Sequence, residues 1–219
     1  MGRYNLLKEK WISVSADNKG RTEDVSLIDV FKNADKYVDL AGDTKTQDFA
    51  VMRVLLAVLH TVFSRFDAFG KPYPEVELDD RYRQREPIVD EDERIDYNDE
   101  LFETWKNLWN KGSFPEIVKD YLLKWEDHFN LFDEKYPFYQ VLYEDISDER
   151  ISKGNPGKIY GKNINRLISE SENKTALFAP KQAQNKSKDR MTYPEVVRWL
   201  ITFQGYAGLA DKTRFAGDD

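Results

Sequence analysis

The chain has 219 residues, 40% of them hydrophobic and 14% aromatic, so it can bury a core as one large domain or two small ones. It contains no cysteine, which excludes disulfides, thiol catalysis and cysteine-bound zinc and fits a cytoplasmic location. The net charge is −7, but residues 75–100 hold 12 acidic and 4 basic side chains, whereas residues 153–219 hold 12 basic and 7 acidic. A basic last third is compatible with nucleic-acid binding despite the acidic total.

The first 40 residues predict a hairpin followed by a short helix. Residues 11–15 are typical of a strand, and residues 17–20 (Asp-Asn-Lys-Gly) form a turn signal. Residues 25–28 are predicted as the returning strand, and a helix begins near Leu27. This pattern indicates a small N-terminal sheet.

Residues 44–66 predict the longest helix. Thr44 and Gln47 have capping-box spacing, and apolar residues recur at helical intervals on nearly every side. A helix that is apolar nearly all round is usually buried, so we expect His60 to be a core histidine. Polar and charged residues interrupt the stretch, and we predict no membrane span.

The middle of the chain predicts a charged loop and then two helices. Residues 73–99 contain prolines and many charges, which favours a surface loop or insertion. A helix is predicted from about residue 99 to residue 110, before Gly112. The next is predicted to open at Ser113, with Glu116 completing a second capping box.

An aromatic segment follows at residues 129–140. We interpret its large apolar side chains as a buried structural cluster rather than a ligand pocket, since aromatic side chains dominate core energetics. The residues concerned are Phe129, Leu131, Phe132, Pro137 and Phe138.

A third capping box, Thr192 with Glu195, opens an apolar helix that we expect Gly205 and Gly208 to end. The predicted fold class is therefore α+β: a helix-rich domain over residues 1–219 with a small N-terminal hairpin or sheet. Because the last helix has no closing element after it, we expect the chain to be a fragment.

No motif predicts catalysis. Residues 90–93 with Asp96 and Asp99 offer carboxylates for a divalent metal, but a block of like charges is usually a solvated loop. His128 beside Asp127 is a conceivable general base, yet no nucleophile motif or phosphate-binding glycine loop accompanies it. We predict no enzyme and no cofactor, with a metal-dependent nuclease as the less favoured alternative.

Residues 153–190 contain nine basic and three acidic side chains, interleaved with asparagines. Lys and Arg neutralise phosphates, and Asn also reads base edges. The segment is equally compatible with an ordinary polar loop, so composition leaves both interpretations open.

Several short motifs in order along the chain resemble the CasA family, the large subunit of the type I-E CRISPR complex Cascade. The motifs lie at residues 5–14, 26–31, 47–60, 129–140, 161–163 and 197–204. The family is considerably longer, and its C-terminal helical bundle is not in this sequence. The resemblance implies a non-catalytic subunit that helps recognise the protospacer-adjacent motif (PAM), helps open the duplex and recruits a helicase–nuclease.

The implied partners are other Cascade subunits, guide RNA, double-stranded target DNA and the helicase–nuclease, with no membrane. The family's two nucleic-acid-binding loops map onto residues after Gly161 and after the last predicted helix. An alternative is a scaffold fragment that docks on sibling subunits without touching DNA. The implied contacts are Lys162, Asn163, Asn165, Arg166, Gly208, Lys212 and Arg214.

Overall fold

The structure is a computed structural model that describes residues 4–145 and 191–206. The chain groups into two compact units. One contains Asn5–Leu40 and Met52–Glu126, and the other contains Met1–Tyr4, Ala41–Val51 and Asp127–Asp219. A small antiparallel sheet and several helices confirm the predicted α+β fold class.

A three-stranded antiparallel sheet of order β2-β1-β3 forms the N-terminal part of the first unit. Ile12 pairs with Val25 and Val14 pairs with Leu40, and all four side chains are buried. This alternation along β1 is the pattern of a strand with one face on the core. The strands are β1 (Ile12–Ser15), β2 (Thr22–Val25) and β3 (Asp39–Leu40).

The returning strand lies earlier than predicted, because Ser26 caps a helix to which residues 27 and 28 belong, and none of the three is in the sheet. Helix α1 (Leu27–Lys32) is capped by Ser26, whose Oγ accepts a hydrogen bond from the backbone N–H of Asp29 at 3.1 Å. An N-cap residue is the boundary at which a helix replaces a strand. The predicted turn is confirmed, since Asp17 Oδ1 accepts the backbone N–H groups of Lys19 and Arg21.

Helix α2 (Lys45–Phe63) confirms the longest predicted helix. Thr44 Oγ1 accepts the N–H of Gln47 at 3.1 Å, as the capping-box spacing predicted. One face, including Val51, Val54 and Val58, is buried.

The prediction that α2 is buried all round is wrong. Phe49, Met52 and Leu56 are exposed, and so is His60, which is therefore not a core histidine. By length and composition, α2 alone among the described helices could cross a membrane (mean hydropathy 1.3). Half of that window is buried inside the protein, as in the core helix of a soluble fold.

Helix α3 (Glu91–Lys111) begins eight residues before the predicted start, so the second part of the predicted loop at residues 73–99 is helical. Asp90 is its N-cap, with a side chain that accepts the N–H groups of Asp92 and Glu93. Carboxylates in a first turn are stabilised by the positive end of the helix dipole, which explains an acidic run at this place. The helix ends as predicted at Gly112, whose φ is 66°.

Two tyrosine hydroxyls fix α3 within its unit. Tyr73 donates to Thr104 Oγ1 at 2.7 Å, and Tyr97 donates to the carbonyl of Ser64 at 2.8 Å. Burial raises the pKa of Tyr73 to about 12, although the Thr104 bond acts in the opposite direction. Both bonds join α3 to the end of α2 and the segment after it.

Helix α4 (Ile117–Lys124) begins later than the predicted capping box at Ser113 and Glu116. Glu116 pairs with Lys119 at 3.0 Å and makes no cap bond. The predicted box fails because Pro115 and its neighbours form a non-helical approach to the first turn.

Helix α5 (Tyr193–Tyr206) belongs to the second unit. Its predicted capping box is confirmed, because Glu195 accepts both the backbone N–H and the hydroxyl of Thr192. Gly205 lies inside the helix rather than ending it. Gly208 is outside the described residues.

Candidate interaction surfaces

The nucleic-acid contacts implied by the family resemblance all fall outside the described residues, so their predicted role stays a prediction. They form two groups: Lys162, Asn163, Asn165 and Arg166, and then Gly208, Lys212 and Arg214. The second group follows α5 directly in the chain. The structure describes α5, and it therefore shows how the helix that precedes this group is anchored.

A buried polar network holds α5 to the segment before α2. Arg198 on α5 is buried, and its Nε donates to Gln47 Oε1 at 3.2 Å. Trp199, the next residue, donates its indole N–H to Asp43 Oδ2 at 3.2 Å. A guanidinium is costly to bury unless it is hydrogen-bonded, so these bonds fix the helix in one orientation.

The segment that contacts α5, residues 42–48, is held together by its own hydrogen bonds. The N–H of Gly42 donates to Asp48 Oδ1 at 2.7 Å, and that of Asp43 donates to Gln47 Oε1 at 3.0 Å. A Cβ on Gly42 would lie 2.6 Å from Gln47 Oε1, so a larger residue there would force the side chains of Gln47 and Asp48 to move. Gln47 Nε2 is buried and has no hydrogen-bond partner among the described residues.

Asn130 organises the aromatic segment of the second unit. Its Oδ1 accepts the backbone N–H groups of Tyr4 and Phe132, at 3.3 and 3.1 Å. Its backbone carbonyl accepts the N–H of Phe138 at 3.1 Å, and Asn130 itself is buried. One buried amide therefore joins three chain segments.

The predicted structural cluster is confirmed in part. Leu131 and Phe138 are buried, whereas Phe129, Phe132 and Pro137 are only half-buried. Beside these residues lies an open cleft of about 710 Å³, and the prediction that the segment is structural rather than a ligand pocket stays a prediction. The cleft is lined by His128, Phe129, Lys135, Tyr136 and residues 137–145, apart from Tyr143.

The acidic run at residues 90–93 serves as the cap and first turn of α3, and not as a loop. Among the described residues, no group of His, Cys, Asp and Glu is arranged to hold a metal ion. His128 lies 2.9 Å from Asp127 and stacks on Tyr136, with ring centroids 4.2 Å apart. His128 also belongs to the lining of the cleft.

A surface that sequence reasoning missed is formed by exposed apolar residues of α2 and α3. We call it the α2–α3 surface. The signal was present, because the aromatic residues of α3 repeat at intervals of three and four. Its residues are Met52, Leu56, His60, Phe102, Trp105 and Trp109.

A family model described as CRISPR-associated protein Cse1 matches residues 5–217, so this chain belongs to the Cse1 family. A CRISPR-associated protein CasA/Cse1 from Thermus thermophilus is 28% identical over 208 residues. That alignment covers 94% of this chain but 32% of the relative. The chain therefore spans about a third of the length of the curated relative it matches.

Solved structures share the fold. The crystal structure of Thermobifida fusca Cse1 is 22% identical with a TM-score of 0.57, and the match covers 93% of this chain and 30% of that one. A chain in a structure described as a CRISPR RNA-guided surveillance complex is 16% identical with a TM-score of 0.59, covering 97% and 36%. At these identities the likeness establishes the fold.

Proposed function

We propose that this chain is a non-catalytic, nucleic-acid-binding subunit of a CRISPR RNA-guided surveillance complex in the cytoplasm. In that role it helps recognise the PAM of target DNA, helps open the duplex and recruits the helicase–nuclease. The observation that carries the proposal is the Cse1 family match over residues 5–217, nearly the whole chain. Guide RNA, target DNA and sibling subunits are the partners it requires.

The anchoring of α5 supports the placement of one nucleic-acid contact after this helix. A chain segment binds a DNA groove more tightly when the helix before it is held rigidly, because less conformational entropy is lost on binding. Arg198 and Trp199 hold α5 through their bonds to Gln47 and Asp43. Gly208, Lys212 and Arg214 follow within a few residues.

The charge distribution supports a second contact after Gly161. Residues 153–190 carry nine basic and three acidic side chains in a chain whose total is −7. Phosphate binding needs a local excess of positive charge, and the chain concentrates that excess here. Lys162 and Arg166 are the side chains that we assign to phosphates, with Asn163 and Asn165 beside them.

The test is target binding by the reconstituted complex, with salt titration. We expect Lys162→Ala and Arg166→Ala to weaken binding to all sequences and to lower the salt slope by about one unit each. A bulky replacement of Gly208 should instead weaken PAM-containing duplex most, because glycine permits close backbone approach. Lys119→Ala, an exposed lysine of the acidic half, is the matched control and should change neither property.

The alternative is a scaffold that docks on sibling subunits without contacting DNA. The exposed apolar α2–α3 surface is the observation that favours it. The two functions separate cleanly: a scaffold predicts normal affinity and PAM preference when Lys162, Arg166, Gly208 and Lys212 are all replaced. That result would reject the DNA-contact proposal.

A further inference from the structure

Helix α5 is held at two places of different chemical character. At its start, Tyr193 packs edge-on against Tyr4 and Phe132, with ring centroids 5.3 and 5.0 Å apart. Near its middle, Arg198 and Trp199 donate hydrogen bonds to residues that precede or begin α2. Aromatic pairs are favourable over a range of ring separations, whereas a hydrogen bond weakens steeply when its angle changes. The direction of α5 therefore depends on the polar contact in its middle.

One atom, Gln47 Oε1, is the centre of that polar contact. It accepts the backbone N–H of Asp43 at 3.0 Å and Arg198 Nε at 3.2 Å. The Gln47 side chain is fully buried, and its backbone N–H is held by Thr44 Oγ1 at 3.1 Å. Because the two donors share one acceptor, loss of this oxygen releases α5 and the segment before α2 from each other.

The amide of Gln47 is fixed in one orientation, since Oε1 accepts two N–H groups. Its Nε2 is buried and has no hydrogen-bond partner among the described residues. An unpaired buried N–H group costs free energy of folding, so Nε2 does not stabilise the contact. What Gln47 supplies to α5 is its oxygen. A glutamate, which keeps this oxygen and lacks the unpaired N–H group, should therefore be able to replace it.

A change in the direction of α5 is magnified along the helix. Arg198 lies eight residues before Tyr206, the last residue of α5, a distance of about 12 Å at the α-helical rise of about 1.5 Å per residue. A rotation of α5 by about 10° at Arg198 would then move its end by about 2 Å. Binding groups have to be held within about 0.5 Å of their productive geometry. A small displacement at Gln47 is therefore enough to misplace the residues that follow α5.

We propose that Gln47 is a positioning residue that sets the PAM preference of the nucleic-acid contact after α5. It acts through Arg198, and a fully buried side chain does not touch DNA itself. The inference rests on the proposed function, because it requires that Gly208 and its neighbours approach the PAM duplex. It adds that the preference for the PAM depends on a buried amide oxygen in the first turn of α2.

Preference should suffer more than affinity when α5 is displaced. Phosphate contacts from long Lys and Arg side chains tolerate a shifted backbone, and they carry no sequence information. A close approach of backbone to a groove, as expected at Gly208, has no such tolerance. Loss of the Gln47 oxygen should therefore weaken binding of duplex with the PAM more than binding of duplex without it.

The first test measures the position of α5 without nucleic acid. In the chain labelled with 15N-tryptophan, the indole resonance of Trp199 reports on its bond to Asp43. The indole of Trp125, which donates to the carbonyl of Arg81 at 3.0 Å, is the internal reference. Gln47→Met should shift the Trp199 resonance and leave that of Trp125 in place, and Gln47→Glu should shift it much less. An unshifted Trp199 resonance in Gln47→Met would overturn the proposal.

The second test is the ratio of the affinities of the reconstituted complex for duplexes with and without the PAM. Gln47→Met should lower this ratio by about fivefold or more, the loss expected for one mismatched base pair. Gln47→Glu should retain most of the ratio, because its carboxylate also accepts from Arg198. Thr104→Val is the matched control. It removes a buried acceptor, that of the Tyr73 hydroxyl, in the other unit, and it should leave the ratio unchanged.

The variant Gly208→Leu separates failure of this inference from failure of the proposed function. If Gly208→Leu lowers the ratio and Gln47→Met does not, the contact after α5 is supported and the positioning role is wrong. If neither variant lowers it, the contact itself is wrong, and the positioning role is wrong with it. If Thr104→Val lowers the ratio as much as Gln47→Met does, lost stability explains the effect and the positioning role is again wrong.

A second variant of the same contact serves if Gln47→Met does not fold. Trp199→Phe removes only the neighbouring bond to Asp43 and keeps an aromatic ring at that place. It should lower the ratio in the same direction as Gln47→Met. An unchanged ratio in Trp199→Phe, together with a lowered ratio in Gly208→Leu, would overturn the proposal.

Discussion

Aromatic and aliphatic side chains are used in opposite ways in two regions of this protein. In residues 129–138, Leu131 and Phe138 are buried beside hydrogen bonds that meet at Asn130. Along α3 the backbone bonds are satisfied inside the helix, and Phe102 and Trp109 extend outward. The residue types are alike, so apolar composition alone does not decide which side chains become core and which become surface.

The largest expected effect comes from removing a buried side chain of the inward region. Leu131 is 1% exposed, so Leu131→Ala should lower the free energy of unfolding by about 2–5 kcal/mol. Phe102→Ala should change it by no more than about 0.5 kcal/mol, as for other surface positions. Denaturant unfolding of both variants measures the contrast, and similar losses in both would show that α3's stripe is core.

A smaller loss of stability is expected when the side-chain acceptor of Asn130 is removed. Asn130→Ala removes the acceptor for the N–H groups of Tyr4 and Phe132, and leaving buried donors unpaired costs about 1–3 kcal/mol. Asn130→Asp keeps an acceptor at the same place and should retain much of the stability. If Asn130→Ala melts like the parent, Asn130 does not organise the aromatic segment at residues 129–140.

The stability of α3 should depend more on its N-cap than on its exposed side chains. Asp90→Ala removes the acceptor for two N–H groups at the start of α3 and should cost about 1 kcal/mol. Asp99→Ala, an acidic residue within the helix, is the control and should cost less. Equal melts for the two variants would argue against a helix start at Glu91.

The smallest effect concerns pH. Hydrogen bonds from the backbone N–H and the side chain of Arg83 lower the pKa of Asp79 to about 2, below the value of about 4 that is usual for an aspartate. A lowered folded-state pKa gives stability that is present above the unfolded value and is lost as the pH falls through the folded one. The loss should therefore occur between about pH 4 and pH 2. An NMR titration of the Asp79 carboxyl with a midpoint near 4 would refute this.

Much of the fold was predictable because its signals are local. The Thr44 and Thr192 caps, the turn at Asp17 and the apolar spacing of α2 each depend on residues a few positions apart. These elements needed no knowledge of what lies next to them in space.

The sequence predictions were wrong where tertiary contacts determine the structure. Acidic residues 90–93 were assigned to a loop by their charge, although a helix N-terminus favours the same charges. His60 was expected in the core, since periodicity alone does not show which side of the helix faces solvent. The predicted nucleic-acid contacts, Lys162 to Arg166 and Gly208 to Arg214, lie outside the described residues and stay predictions.

The proposed function is that this chain gives a CRISPR RNA-guided surveillance complex its hold on PAM-containing DNA. The most direct measurement is target affinity of the complex assembled with and without this chain, on duplexes with and without the PAM. We expect omission to weaken binding of PAM-containing duplex by about tenfold or more and to abolish the preference for the PAM. Equal affinity and equal preference in both assemblies would contradict the account.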